Sequence, residues 1–137
     1  MKSTKDEIVS KLIVAAQSVC GEFRLEEDFA AASVGAALRT ADGNIYTGVC
    51  IDLACGLGFC AEISAVAEML KHRETHITDI VAVTRESILP PCGRCREMIT
   101  QIDRRNLDCR VILGENNTTT LRQLLPEHWI YKIGESG

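Results

Sequence analysis

The chain has few aromatic residues and no excess of basic charge. Aromatic side chains make up 4% of its 137 residues, and fifteen lysines and arginines stand against nineteen aspartates and glutamates, for a net charge of −4. Binding to nucleic acid depends on clustered basic side chains and, on single strands, on aromatic stacking. The composition therefore predicts no nucleic-acid partner. We interpret the densest basic patch as a solvated helix face interleaved with acidic residues; it consists of Arg94, Arg96, Arg104 and Arg105.

The sequence also lacks an apolar run long enough to cross a membrane, and it lacks a secretory signal peptide. These absences predict no membrane association and a cytoplasmic location. The seven cysteines are then unlike a disulfide scaffold, because cytosolic cysteines are more often buried, metal-bound or catalytic. The length predicts a single domain over residues 1–137.

Two cysteine motifs contain the residues best suited to chemistry, Cys60-Ala61-Glu62 and, further along, Pro91-Cys92-Gly93-Arg94-Cys95. Thiolates are ligands that zinc prefers, and a zinc with three protein ligands keeps a fourth position for water. We expect Glu62 to stay off the metal and to transfer protons beside that position. Zinc enzymes that deaminate nucleobases use this division of labour, with a non-ligand glutamate and a Pro-Cys-x-x-Cys motif.

Both motifs are expected to begin helices, where the helix dipole and free N–H groups favour thiolates. Two alternatives stay open. The pair Cys92 and Cys95 could be redox-active, although Glu62 would then have no role. The zinc could also be structural, with Cys50 or Cys55 as a fourth thiolate that leaves no place for water.

Hydrophobic periodicity predicts the element order α-β-β-α-β-α-β-α. The first helix would be capped by Thr4, with Glu7 completing a capping box. Asp42-Gly43 is typical of a hairpin turn between strands at 34–39 and 45–51. The remaining elements are a helix from Cys60 with Ile63, Val66, Ala67 and Leu70 on one face, a strand buried on both faces at 77–84, a helix after Pro91, a strand at 109–113 and a short helix at 121–125. Cys20 and Cys109 are expected in the core. Such alternation predicts an α/β fold with helices on both faces of a mixed sheet.

With these motifs in this order, the chain resembles the cytidine deaminase family. The resemblance rests on Val34-Gly35-Ala36-Ala37-Leu38, Asp42-Gly43, Tyr46-Thr47-Gly48, the two cysteine motifs and Leu124-Leu125-Pro126. It implies a three-layer α/β/α sandwich with a five-stranded mixed sheet and one Zn²⁺ per subunit. It also implies a small-molecule nucleoside substrate. The small three-cysteine members are typically homotetramers whose active sites include residues from neighbouring subunits.

The chain departs from ordinary cytidine deaminases around the substrate. Their Asn-x-Glu motif, which holds the ribose hydroxyls, corresponds here to Cys50 and Asp52, and we expect both of these and Ala61 to bind substrate. Their usual stacking aromatic corresponds to Ala32. Trp129 or Tyr131 could replace it, or could simply pack at a domain edge or subunit interface.

The charge around the metal also differs. Many three-cysteine members place arginine after the catalytic glutamate, where this chain has Ile63, and Arg94 could supply the missing positive charge to the zinc thiolates. Arg94 and the run 48–62 also resemble blasticidin S deaminases. The leading hypothesis is zinc-dependent hydrolytic deamination of cytidine or deoxycytidine. The alternatives are deamination of blasticidin S or another modified aminopyrimidine and, less favoured, a non-catalytic zinc-binding protein.

Overall fold

The structure of the protein, a computed structural model, describes residues 3–130. The helices are α1 (Thr4–Val19), α2 (Ala61–Lys71), α3 (Gly93–Ile102) and α4 (Leu121–Leu124), with a 3-10 helix at Arg104–Asp108. The strands are β1 (Phe23–Arg24), β2 (Ala30–Thr40), β3 (Ile45–Asp52), β4 (Ile77–Val83), β5 (Ile88–Leu89), β6 (Arg110–Gly114) and β7 (Asn117–Thr120). The predicted helices and strands are all present, with ends that differ by a few residues.

One mixed sheet connects these strands. Its long strands lie in the order β3-β2-β4-β6-β7, of which only β4 and β6 are parallel neighbours. The two-residue strands β1 and β5 add to β2 and β4. The expected five-stranded mixed sheet is thus confirmed in its longer strands, and within residues 3–130 the two short strands bring the count to seven.

Alternating side chains on the central strands face two separate apolar cores. Leu38 and Ile80 belong to the core beneath α2 and α3, whereas Ala37 and Val81 belong to the core beneath α1. Because successive side chains of a strand point to opposite faces, a strand covered on both sides must be apolar throughout. Six of the seven residues of β4 are buried. The predicted three-layer α/β/α sandwich is therefore confirmed.

The start of α1 differs from the prediction by one residue. Ser3, not Thr4, is the N-cap, and its side chain forms a capping box with Asp6 rather than with Glu7. The predicted hairpin is confirmed, with Gly43 at a φ of 86°. None of the helices between residues 3 and 130 combines the length and apolar character needed to span a bilayer.

Helix α2 lies unusually close to β3, and Gly48 makes this possible. A Cβ atom at Gly48 would stand 2.3 Å from the backbone nitrogen of Ala65 and 2.7 Å from the carbonyl oxygen of Ala61. The face of α2 that this contact buries includes Ala65 and Met69, whereas Ala67, predicted on the buried face, is exposed. The close approach sets where the first turn of α2 lies relative to the sheet.

Candidate metal centre and active site

Two helix N-termini bring three cysteines together. Cys60 is the N-cap of α2, Cys92 is the N-cap of α3, and Cys95 lies in the first turn of α3. Neither N-cap thiol makes a capping hydrogen bond. The three sulfur atoms lie within 4.8 Å of one another, and those of Cys60 and Cys92 are 3.5 Å apart.

This donor set fits Zn²⁺. Zinc–thiolate bonds of about 2.3 Å in a tetrahedral site place neighbouring sulfurs roughly 3.8 Å apart, close to the observed spacing. Among residues 3–130, the cluster has three potential ligands and no fourth cysteine, histidine or carboxylate. Cys55 is exposed and Cys50 contacts Ser33, so neither proposed fourth thiolate is present in the cluster. The arrangement matches an open zinc site rather than a closed structural one.

The electrostatics of the thiols also call for a cation. Burial raises the pKa of Cys60, and burial followed by the negative charge of Glu62 raises that of Cys95. Burial acts to raise the pKa of Cys92 as well, but the backbone amides of Cys95 and Arg94 and the Cys60 thiol lower it below its ordinary value. A divalent cation is the group that can hold three such thiolates side by side.

Glu62 lies next to the cluster without belonging to it. Its side chain is 4% exposed, and its position in the first turn of α2 follows from the two-residue spacing after Cys60. Burial raises the pKa of Glu62, and its own backbone amide lowers it in part. A buried carboxyl with a raised pKa is suited to giving and taking protons.

The metal cluster opens into a cavity of about 480 Å³. The residues that line it include Cys60, Ala61, Glu62, Cys92 and Arg94 from the two cysteine motifs, and Ser33, Cys50, Asp52 and Phe59 from β2, β3 and the loop after β3. The volume falls within the usual range for small-molecule sites. Seven of the eight residues predicted for the site line this cavity, and the eighth, Cys95, belongs to the cysteine cluster.

An irregularity in β2 shapes the part of the cavity wall that contains Ser33. The pairing of β2 with β3 shifts between Ala31 and Gly35, and Ala32 within this bulge has a φ of 68°. Bulges next to active sites redirect side chains. Here the bulge places the Ser33 hydroxyl 3.2 Å from the sulfur of Cys50 and 3.4 Å from Oδ2 of Asp52.

The same zinc-binding constellation occurs in known proteins. The family model described as "Cytidine and deoxycytidylate deaminase zinc-binding region" matches residues 7–111. The chain belongs to this family. It is therefore a zinc-dependent hydrolytic deaminase, as the resemblance implied.

The similar members of the family are named after two different substrates, blasticidin S and cytidine. Blasticidin-S deaminase of Bacillus cereus is 32% identical over 106 residues, which cover 68% of this chain and 74% of that protein. Cytidine deaminase of Mycobacterium tuberculosis is 32% identical over 89 residues, covering 64% of this chain and 65% of that one. Among solved structures, cytidine deaminase from Mycobacterium tuberculosis has a TM-score of 0.73 at 26% identity, covering 88% of this chain and 95% of that chain. The cytidine deaminase from Mycobacterium leprae has a TM-score of 0.69 at 26% identity, covering 92% and 100%.

Phe59 is an aromatic residue that lines the deaminase cavity. The sequence motifs did not predict it there. Its backbone exchanges two hydrogen bonds of 3.0 Å with Ile51, so the loop after β3 folds back onto that strand. Its position directly before Cys60 was the one feature of the sequence that could have indicated a place at the site. Trp129, considered as a replacement ring, is 61% exposed and does not line this chain's cavity, while Tyr131 lies outside the described residues.

Arg94 and Arg96 have different surroundings despite their proximity in sequence. Arg94 is exposed and lines the cavity. Arg96 was predicted on a solvated face, and that interpretation is wrong. Its guanidinium donates to the carbonyl oxygens of Pro91 at 2.8 Å and Leu124 at 3.0 Å, because the chain before Cys92 and the end of α4 meet there. Arg96 thus holds the segment that contains Cys92.

Proposed function

We propose that this deaminase acts on a free cytosine nucleoside, converting cytidine or deoxycytidine and water to uridine or deoxyuridine and ammonia. One observation carries the proposal. Three cysteine sulfurs within 4.8 Å of one another and the buried carboxyl of Glu62 meet at a cavity of about 480 Å³, the size of a small-molecule site. The resemblance of the motifs to cytidine deaminases supports the choice of nucleoside.

In this proposal each residue of the site has a defined task. Cys60, Cys92 and Cys95 hold the metal, which when bound acts as a Lewis acid that makes water nucleophilic at neutral pH. Glu62 takes a proton from the attacking water and delivers it to ring nitrogen N3 of cytosine. It then passes the second proton of that water to the departing 4-amino group, which leaves as ammonia. Ala61, Cys50 and Asp52 line the path of the base and its substituent.

The net charge of the centre explains the place of Arg94. Three thiolates and Zn²⁺ carry a charge of −1, and a positive side chain at the cavity lowers its electrostatic cost. Arg94 lines the cavity and its backbone amide acts on the Cys92 thiol. We assign it the charge-offsetting role that other three-cysteine members give to the residue after their catalytic glutamate.

Ammonia release by zinc-loaded protein tests the proposal. Glu62→Gln keeps the volume of the side chain but cannot shuttle a proton, so we expect it to retain zinc and lose at least about a hundredfold in kcat, the low end of general acid–base contributions. Glu68→Gln is the matched control on the same helix, since Glu68 pairs with Lys71 and His72 away from the cavity. Equal turnover by Glu62→Gln and the control would refute the assignment of Glu62.

Blasticidin S is the second candidate substrate. The relative that covers 68% of this chain at 32% identity is a blasticidin-S deaminase, and the chain lacks the amide of the ribose-binding motif at Cys50. Side-by-side kinetics with cytidine, deoxycytidine, 5-methylcytidine and blasticidin S distinguish the candidates. Turnover of blasticidin S alone would overturn the nucleoside assignment, and turnover of cytidine alone would exclude the antibiotic.

A non-catalytic zinc protein would show a different metal environment. X-ray absorption should report three sulfurs and one light atom, because the described cluster has three thiols. Four sulfurs around the zinc would overturn the proposal that the metal site is catalytic.

The proposal extends to assembly and cellular setting. We propose a homotetramer, as in the small three-cysteine members, and exposed apolar side chains such as Leu57 and Phe23, 71% and 55% exposed, support association. We propose a cytoplasmic location, since free cysteines are typical of a reducing compartment, and a role in pyrimidine salvage, since the proposed substrate is a free cytosine nucleoside. Light scattering that reports a monomer at micromolar concentration would refute the assembly.

A further inference from the structure

The cavity wall formed by Ser33, Cys50 and Asp52 has an unusual distribution of hydrogen-bond donors. The amide N–H of Val34 donates to the sulfur of Cys50 at 3.3 Å. Ser33 Oγ lies 3.2 Å from that sulfur and 3.4 Å from Oδ2 of Asp52. The three side chains therefore form one connected network among the residues that line the cavity.

The direction of this network follows from the chemistry of its last member. An ionised carboxylate only accepts hydrogen bonds, so Ser33 is the donor to Asp52 and its single proton is used there. The Cys50 thiol has two acceptors within reach, Ser33 Oγ at 3.2 Å and Oδ2 of Asp52 at 4.0 Å. Both side-chain protons therefore have an acceptor inside the network, and the carboxylate of Asp52 is its final acceptor.

Asp52 has acceptor capacity that the protein does not satisfy. Within residues 3–130, hydrogen bonds reach only its Oδ2 atom, and none of the ion pairs includes it. A sugar hydroxyl both donates and accepts hydrogen bonds, and Asp52 can accept a hydrogen bond from it but cannot donate one. An alkylammonium group has three donors and no acceptor. It matches the wall in hydrogen bonding and in charge.

We propose that Ser33 and Asp52 form a specificity site for a cationic amine on the substituent of the aminopyrimidine, where ordinary nucleosides have a sugar hydroxyl. The inference rests on the proposed function and adds a preference to it: among cytosine nucleosides, those with an ammonium group in place of a sugar hydroxyl bind more tightly than cytidine. Ser33 is the positioning residue, because the bulge at Ala32 turns its hydroxyl toward the carboxylate. Asp52 contacts the substrate.

Binding to the zinc-loaded Glu62→Gln protein separates recognition from turnover. The probes are cytidine, 3′-amino-3′-deoxycytidine and 5′-amino-5′-deoxycytidine, compared by isothermal titration. We expect at least one amino nucleoside to bind about tenfold more tightly than cytidine, as a charge-assisted hydrogen bond allows. Adding Asp52→Asn should abolish that preference, and adding Ser33→Ala should reduce it. Asp28→Asn, which removes an exposed carboxylate paired with Arg24, should leave it unchanged.

The outcomes distinguish this inference from the function on which it rests. Equal affinities for all three nucleosides, or a preference that survives Asp52→Asn, would overturn the inference. The proposed function would still stand if the wild-type protein turned over cytidine normally. Failure of the wild-type protein to release ammonia from any of the three would overturn both.

Discussion

Replacing Gly48 with alanine should damage stability and activity together, because of where α2 meets the sheet. The added Cβ would lie 2.3 Å from the nitrogen of Ala65, 2.7 Å from the carbonyl oxygen of Ala61 and 2.7 Å from Cβ of Ser64. Ordinary van der Waals contact begins near 3.4 Å, so the closest approach is about 1 Å too short. Two of the three atoms are backbone, and no flexible side chain can move aside. Helix α2 itself must shift.

The size of the effect follows from that displacement. Overpacking in a rigid core costs typically about 1–3 kcal/mol, and the backbone contacts place Gly48→Ala near the upper end. For a chain of this length that corresponds to a fall in Tm of roughly 10 °C. A shift of about 1 Å also moves Cys60 and Glu62 relative to the cysteines on α3, and such misplacement costs about a hundredfold in rate.

Thermal unfolding and ammonia release, measured on the same zinc-loaded preparation, test both effects. Gly21→Ala is the matched control, since a Cβ there meets no atom within 4 Å and the backbone is not in a glycine-specific conformation. We expect the control to unfold and turn over like the wild type. A Gly48→Ala protein with wild-type Tm and kcat would refute the claim that close packing of α2 positions the site.

Three further predictions concern the metal site and a surface network. Arg96→Met removes hydrogen bonds to the carbonyls of Pro91 and Leu124 and should speed zinc release to a chelator about tenfold; Arg122→Met, which breaks only an exposed pair, should not, and equal release rates would contradict the role of Arg96. Elemental analysis should show that Cys92→Ala loses zinc and Cys55→Ala keeps it, because Cys92 belongs to the cysteine cluster and Cys55 does not. Loss of zinc from both variants would point to four cysteine ligands. Hydrogen bonds from Thr40 and then Tyr46 lower the pKa of Glu74 in the folded state, so its stabilisation is present above the unfolded pKa and lost as pH falls through the folded one. Chemical unfolding should therefore show Glu74→Gln to be less stable than wild type at pH 7, with a difference that shrinks as the pH falls below the ordinary pKa of glutamate; a difference independent of pH would refute this.

The fold was predictable where periodicity and burial agree. The alternating and continuous apolar runs of β2 and β4 have one structural solution, a sheet covered on both faces, and the structure has it. The two-residue strands β1 and β5 were not predictable, because they arise from pairing with β2 and β4 rather than from any local pattern. The cap of α1 moved to Ser3 because serine and threonine are both good N-caps and the choice depends on the chain before them.

The metal ligands were predictable because their chemistry is local. Each cysteine motif begins a helix, and ligand type and spacing are written in consecutive residues. The roles of Ser33 and Arg96 were not predictable, since their hydrogen-bond partners Cys50 and Leu124 lie 17 and 28 residues away in the chain. Neither residue type signals such a role by itself.

The sequence by itself determined which groups are available for the reaction: three thiols suited to zinc, one carboxyl to which we assign proton transfer, and two apolar strands that require helices on both faces. Only the tertiary structure decided what surrounds that chemistry. It brought Cys60 to Cys92 across two helix N-termini, turned Ser33 toward Asp52 through a bulge, and placed Phe59 at the cavity. The physical reason is that ligand identity is a property of single residues, whereas a cavity wall is a property of strand register and helix packing, which pair residues distant in sequence.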